Sequence, residues 1–123
     1  MNRWTKADYA TGDDNEYNDC SIRAYSIAAC VSYDHAHALF TKHGRTPKKR
    51  TSIDTTISVL RKTFPNAIHL FPQMSLSCFM KLHPIGHYLL HTSSHAFALC
   101  DGIVHDWSYH PRYKIRHAWR LDT

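Results

Sequence analysis

Apolar residues recur at helical spacing through the first two thirds of the chain. From Cys20 the sequence CSIRAYSIAACV is apolar nearly all round, which is typical of a helix surrounded by protein. Asp19 directly precedes this segment, where a carboxylate can cap free backbone N–H groups. Arg23 is the one charge inside it, so we expect a paired side chain that anchors the acidic lead-in through Asp14, Glu16 or Asp19.

Three further helices follow from the same spacing. Ser32 begins a second helix that Gly44 ends. Thr51 or Ser52 caps a third, which ends at Pro65, and a short fourth is predicted over 75–82.

The last forty residues instead show short apolar runs separated by turn residues. Runs over 86–92, 95–100 and 103–107 predict three antiparallel strands, with turns at 93–94 and 101–102. Residues 112–119 could add a fourth strand, and 67–71 predict an earlier short one. Helices first and a sheet afterwards indicate an α+β fold, in which N-terminal helices pack on a C-terminal antiparallel sheet.

Length and composition limit the class of protein. The 123 residues, 43% hydrophobic and 20% charged, suit one globular domain over 1–123, with residues 1–19 as an irregular lead-in. No apolar stretch approaches the roughly 18 residues that span a bilayer, and the N-terminus has no signal-peptide core. We therefore expect no membrane association and a cytoplasmic location, where four cysteines without CxxC spacing stay reduced.

The net charge of +5 is concentrated partly in a basic loop over residues 45–50. Lys48, Lys49 and Arg50 are candidates for binding an acidic protein surface or nucleic acid. A solvated loop is the commoner role of such a charge run, so nucleic acid is the less favoured partner.

Cys20 is the candidate nucleophile. A cysteine in the first turn of a helix lies in the positive field of the helix dipole, which favours the reactive thiolate. Cys30, Cys78 and Cys100 instead lie inside apolar elements, as structural cysteines do.

The hairpin around Asp101-Gly102 places a histidine and a carboxylate on one face. A two-residue turn there pairs Phe97 with Asp106, so His95 and Asp106 are diagonal neighbours at roughly 7–8 Å between backbones. Asp101 lies too far along the strand to orient the imidazole, so it is predicted to be a turn residue. The rest of that face is apolar, and we expect the helix that begins at Cys20 to cover it and bring the three groups together.

The motifs around these residues resemble the papain-like cysteine peptidase superfamily. Asn18-Asp19-Cys20-Ser21 opens a helix, His95-Ala96 lies on a late strand, and Asp101-Gly102 is followed by Asp106. The pattern is similar to the C39-like peptidases and to small phage or bacterial proteins with an NDCxxRA helix. Asp-Cys-Ser also looks like the nucleophile segment of NlpC-type cell-wall peptidases, although Ile22 replaces their glycine.

The resemblance implies a papain-like fold and a thiol hydrolase that cleaves an amide, isopeptide or related acyl bond. Cys20 would be the nucleophile, His95 the base and Asp106 the orienting residue, with no cofactor or metal. The glutamine that donates to the oxyanion in this superfamily is missing, and Asn15 or Asn18 would take its place beside the Cys20 amide. The substrate would be a peptide or protein, in a phage setting a host component.

Two alternatives remain open. His87, Cys100 and His105 share the opposite face of the sheet and could form a zinc site, although their spacing matches no compact zinc motif. A catalytically inactive papain-like module could instead use the basic loop and the aromatic C-terminus to bind a host protein or nucleic acid. Those aromatic residues are Trp107, Tyr109, Tyr113 and Trp119.

Overall fold

Serine side chains cap the N-termini of three of the helices. The computed structural model describes residues 4–6, 19–46, 49, 51–106 and 109–122, and within them the helices are α1 (Cys20–Ala29), α2 (Tyr33–Lys42), α3 (Ile53–Thr63) and α4 (Leu76–Leu82). The hydroxyls of Ser32, Ser52 and Ser75 accept hydrogen bonds from the backbone N–H three residues onward, at 3.1, 3.1 and 3.2 Å. The four predicted helices are confirmed.

The strands of the described residues form one large sheet and one small one. They are β1 (Trp4–Lys6), β2 (His69–Leu70), β3 (Met74–Ser75), β4 (His87–His91), β5 (Ala96–Cys100), β6 (Ile103–Asp106), β7 (Lys114–Ile115) and β8 (His117–Arg120). The large sheet has the order β1-β6-β5-β4-β8-β2, and β3 pairs with β7. All pairs are antiparallel except β1 with β6. The chain is therefore a mixed α+β protein with a mostly antiparallel sheet.

The predicted register of the central strands is confirmed. Cys100 pairs with Ile103 across the Asp101-Gly102 turn, and His87 with Cys100 across the turn at 93–94. Asp101 and Gly102 both have positive φ, at 49° and 81°, as a two-residue hairpin turn requires.

Three strand predictions need correction. Residues 4–6 form β1 rather than part of an irregular lead-in. They are a strand because they pair with β6, and a segment of three residues has no sequence pattern that predicts this pairing. The strand predicted over 67–71 shortens to β2 at the sheet edge. The strand predicted over 112–119 is two strands, β7 and β8, because its two halves pair with different partners. Between them, the Arg116 N–H donates to the carbonyl of His91 at 2.9 Å.

Helices cover both faces of the large sheet. The helices α1, α2 and α3 pack with Leu89, Ala96, Ala98 and Trp119 on one face. The other face carries Leu90, Phe97, Leu99 and Val104, and α4 covers it. The prediction that the Cys20 helix covers Phe97, Leu99 and Val104 is therefore wrong. Both faces of the sheet are apolar, so the alternation of side chains along the strands could not predict which helix covers which face.

Among the helices of the described segments, none combines the length and apolar character needed to cross a membrane.

Candidate active site

Cys20 is the first residue of α1, and its side chain is half-buried. The backbone N–H groups of the first helical turn have no partner within the helix and point toward its N-terminus. The thiol therefore lies where the helix dipole favours negative charge.

Small residues let α1 approach the sheet closely. Ala24 and Ala28 of the helix and Ala96 and Ala98 of β5 are all buried in the same apolar cluster. The close contact brings the backbone N–H of Ala96 to the thiol of Cys20, to which it donates a hydrogen bond. The hydroxyl of Ser21 is also hydrogen-bonded to this thiol.

His95 is fixed by the turn between β4 and β5. Its backbone N–H donates to Oγ1 of Thr92 at 3.0 Å, and its carbonyl accepts from the Thr92 N–H at 2.8 Å. His95 immediately precedes β5, at the end of the sheet, so the strand does not separate its ring from the N-terminus of α1. By alternation along the strand, the side chain of His95 would point to the sheet face opposite α1. Its position at the end of the strand explains how its ring nevertheless contacts Cys20.

The imidazole of His95 joins the carboxylate of Asp106 to the thiol of Cys20. Nε2 of His95 lies 2.9 Å from both Oδ1 and Oδ2 of Asp106, whose side chain is buried. The ring is also hydrogen-bonded to the Cys20 side chain. The structure thus brings together the three residues predicted as nucleophile, base and orienting acid.

The electrostatics favour a thiolate–imidazolium pair. Burial opposes charge on both groups, but their hydrogen bonds outweigh it. Hydrogen bonds from His95 and the Ala96 N–H hold the pKa of Cys20 below its ordinary value. For His95, the bond to Asp106 and the adjacent thiolate raise the pKa to about 9 against the opposing effect of burial. Around neutral pH the imidazole is therefore charged, and it stabilises the thiolate beside it.

Two aromatic rings pack beside the ring of His95. The ring of Phe97 stacks 5.6 Å from that of His95, and the ring of Tyr113 lies 6.0 Å away. Burial and the nearby Asp106 carboxylate raise the pKa of Tyr113, which keeps its phenol neutral. The Asp106 carboxylate that the His95 ring contacts is itself buried.

A buried ion pair anchors the start of α1. Arg23 Nε donates to Asp19 Oδ1 at 2.8 Å, which confirms the predicted pairing with Asp19. The hydroxyl of Tyr33 donates to Oδ2 of the same carboxylate at 2.6 Å, and the Arg23 guanidinium lies 5.1 Å from the Tyr33 ring centre. The prediction that Asp19 caps the helix is wrong, because its side chain makes no capping hydrogen bond. Its carboxylate instead ties the residue before the nucleophile to α2.

Sequence reasoning missed the Ala96 N–H, the Ser21 hydroxyl, Tyr113 and the Tyr33 partner of Asp19. Small residues on both α1 and β5 were an available signal for the close contact that delivers Ala96. Tyr33 and Tyr113 carry no such signal, because their roles depend on how distant elements pack.

Several candidates lie outside the described residues. Asn15 and Asn18, the oxyanion candidates, are among them, as are Lys48 and Arg50 of the basic loop. Asp14 and Glu16, the other candidate partners of Arg23, and Trp107 lie outside as well. Lys49 is described and exposed.

The zinc alternative meets a geometric difficulty. Nδ1 of His87 lies 3.3 Å from the carbonyl of Ala28, to which it can donate, and 3.6 Å from Sγ of Cys30. Burial raises the pKa of Cys100 to about 12, which keeps it a thiol rather than a metal-binding thiolate. Among the described residues, no three His, Cys, Asp or Glu side chains are grouped as a metal site requires.

The arrangement at the N-terminus of α1 can perform nucleophilic acyl chemistry, with a stabilised thiolate, an adjacent proton donor and a carboxylate that fixes the imidazole. Comparison with protein-family models, curated proteins and solved structures finds no match to this chain.

Proposed function

We propose that the protein is a cysteine hydrolase of papain-like architecture that cleaves an amide, isopeptide or related acyl bond in a peptide or protein. The convergence of Cys20, His95 and Asp106 at the start of α1 is the observation that carries this proposal. The order of elements, with a nucleophile at a helix N-terminus and a histidine at the start of a strand, supports the papain-like part.

The first half of the reaction forms an acyl-enzyme. Sγ of Cys20 attacks the carbonyl carbon and forms a C–S bond, while the carbonyl electron pair moves to oxygen. The backbone N–H of Cys20 would donate to that oxyanion, and Asn15 or Asn18 would add an amide donor. When the carbonyl re-forms, the C–N bond breaks and the imidazolium of His95 gives its proton to the leaving amine.

The second half releases the acid. Neutral His95 takes a proton from water, and the resulting hydroxide attacks the thioester carbon. The C–S bond breaks, the carboxylic acid leaves, and the thiolate–imidazolium pair is restored. Asp106 holds the imidazole in position through both halves without gaining or losing a proton.

The test is acetylation by p-nitrophenyl acetate, a reactive ester that any competent acyl-accepting thiol attacks. Peptide mass spectrometry should find the acetyl group on Cys20, and the adduct should disappear as water hydrolyses it. Cys20→Ala should abolish the adduct, and His95→Ala should slow its formation by about a hundredfold, because the charged imidazole that stabilises the Cys20 thiolate is lost. His105→Ala, one residue from Asp106 but on the opposite face of the sheet, is the matched control and should leave the rate unchanged. Acetylation rates that follow side-chain exposure, with Cys30 and Cys78 acetylated faster than Cys20, would overturn the proposal.

A further inference from the structure

The start of α1 differs from the starts of the other described helices. Before α2, α3 and α4 stands a serine with ψ of 154–155° whose side chain accepts from the N–H of the third helical residue, namely Ser32, Ser52 and Ser75. Asp19 occupies the same position before α1, but its ψ is 24° and its side chain makes no capping hydrogen bond. The first turn of α1 also contains no acidic residue, whereas those of α2 and α3 contain Asp34 and Asp54. Neither a capping side chain nor an acidic first-turn residue of α1 therefore offsets the positive field at its start.

Asp19 does not cap α1 because two other groups hold its carboxylate. Nε of Arg23 donates to Oδ1 at 2.8 Å, and the hydroxyl of Tyr33 donates to Oδ2 at 2.6 Å, so both oxygens are engaged. Asp19 is 2% exposed and Arg23 is 8% exposed. Since burial of a charge is costly unless the charge is paired and hydrogen-bonded, the carboxylate keeps this arrangement as long as both donors are present.

The capping position that the carboxylate does not occupy lies beside the nucleophile. A side chain that caps α1 from Asp19 would accept from the N–H of Ile22, the third residue of the helix. Cys20 is the first residue of the same turn. A carboxylate in the capping position would therefore add a negative charge to the turn in which Cys20 becomes a thiolate. A like charge raises the pKa of an acidic group, so a capped α1 would disfavour the reactive form.

The titratable groups next to Cys20 or to its hydrogen-bond partners come from α1, α2 and the sheet. Within the described residues they are Asp19, Arg23, Tyr33, His91, His95, Asp106 and Tyr113. Burial lowers the pKa of His91 and raises that of Tyr113, so both are neutral near pH 7. His95 carries the positive charge beside the thiol, and Asp106 acts on the thiol through His95. Asp19 is the other carboxylate of this set, and its position decides whether a second negative charge meets the thiolate.

We propose that Arg23 and Tyr33 are positioning residues of the thiol site, which hold the Asp19 carboxylate in a non-capping position and so leave the positive field of α1 to the Cys20 thiolate and the oxyanion. The inference rests on the proposed function, because it takes Cys20 as the reacting group. The helix loses a stabilising cap by this arrangement. In exchange, the N-terminus of α1 acts on the charges that develop during the reaction.

The test is the pH dependence of Cys20 alkylation by iodoacetamide, followed by peptide mass spectrometry, because the thiolate is the form that reacts. The wild-type rate should rise with a midpoint below the ordinary cysteine pKa. Tyr33→Phe removes one donor to Asp19 and should slow alkylation about threefold at a pH below that midpoint. Arg23→Met removes the paired charge and should raise the midpoint by about one pH unit, a tenfold loss of rate. Adding Asp19→Asn to either variant should restore the wild-type midpoint, since the amide carries no charge.

Tyr25→Phe is the matched control. Tyr25 is also a buried tyrosine of the helical layer, but its hydroxyl is hydrogen-bonded to Thr63, so its loss should leave the midpoint unchanged. A midpoint that Tyr33→Phe does not raise, or a rise that persists after Asp19→Asn is added, overturns the inference and leaves the thiol chemistry standing. Tyr33→Phe removes a single hydroxyl and decides the matter even if Arg23→Met does not fold. If Cys20 of the wild-type protein is not alkylated selectively, both the proposed function and this inference fail.

Discussion

At the scale of single residues, the protonation of His95 is the property on which the proposed chemistry depends. The hydrogen bond to Asp106 and the neighbouring thiolate raise its pKa to about 9, although burial alone would lower it. The thiolate–imidazolium pair therefore exists from the lowered pKa of Cys20 up to about pH 9. Above that pH the thiolate persists, but the leaving amine loses its proton donor.

This property can be measured by NMR titration of the His95 ring. The wild-type ring should titrate near pH 9, and both Asp106→Asn and Cys20→Ala should move its pKa down, because each removes a negative neighbour. A raised pKa also means that protonated His95 stabilises the fold. That contribution is fully present below the ordinary histidine pKa and is lost as the pH rises through about 9. A wild-type titration at the ordinary value of about 6.5 would contradict the assigned pair.

The three reacting residues could be predicted because each follows from local rules. Cys20 follows from a helix start, and His95 and Asp106 follow from the register of one two-residue turn. Tyr33 could not be predicted as a partner of Asp19, because that contact joins two helices whose packing angle the sequence does not specify.

At the scale of elements, the contact between α1 and β5 controls the site. Ala98 faces α1, while Ala118 of β8 is equally buried on the opposite face. Ala98→Val should push the helix away from the sheet, weaken the hydrogen bond from the Ala96 N–H and slow alkylation of Cys20. Overpacking of this kind costs about 1–3 kcal/mol of unfolding free energy.

Ala118→Val is the matched control for that variant. It should lower the free energy of unfolding by a similar amount, measured by urea denaturation, but leave the Cys20 alkylation rate of the folded protein unchanged. Equal loss of reactivity in the two variants would mean that general destabilisation, and not the α1–β5 contact, controls the thiol.

The same contact explains the wrong prediction about the face that α1 covers. Phe97 and Leu99 look like the natural partners of an apolar helix, and alternation made their face the apparent core. The alanines on the other face are equally apolar but small, and small residues are what a closely packed helix requires. The side-chain volume on the two strand faces, rather than their polarity, indicates which face α1 covers.

At the scale of the whole molecule, the sequence predicts the α+β class and the hairpin registers but not the order of the sheet. The placement of β8 beside β4 and of β1 beside β6 joins segments that are distant along the chain. These pairings come from the packing of both faces and leave no local pattern. The site itself depends on the contact of α1 with β5 and on the β5–β6 hairpin, which bring Cys20, His95 and Asp106 together.

The rates at which iodoacetamide alkylates the four cysteines at neutral pH test the central claim most directly. The free thiols of Cys30 and Cys78 are exposed and serve as references, and Cys100, with its pKa raised to about 12 by burial, should be the slowest. We predict that Cys20, although half-buried, reacts about tenfold faster than either exposed thiol, and that the difference disappears in denaturant. A folded protein in which Cys20 reacts no faster than Cys30 or Cys78 would contradict the account.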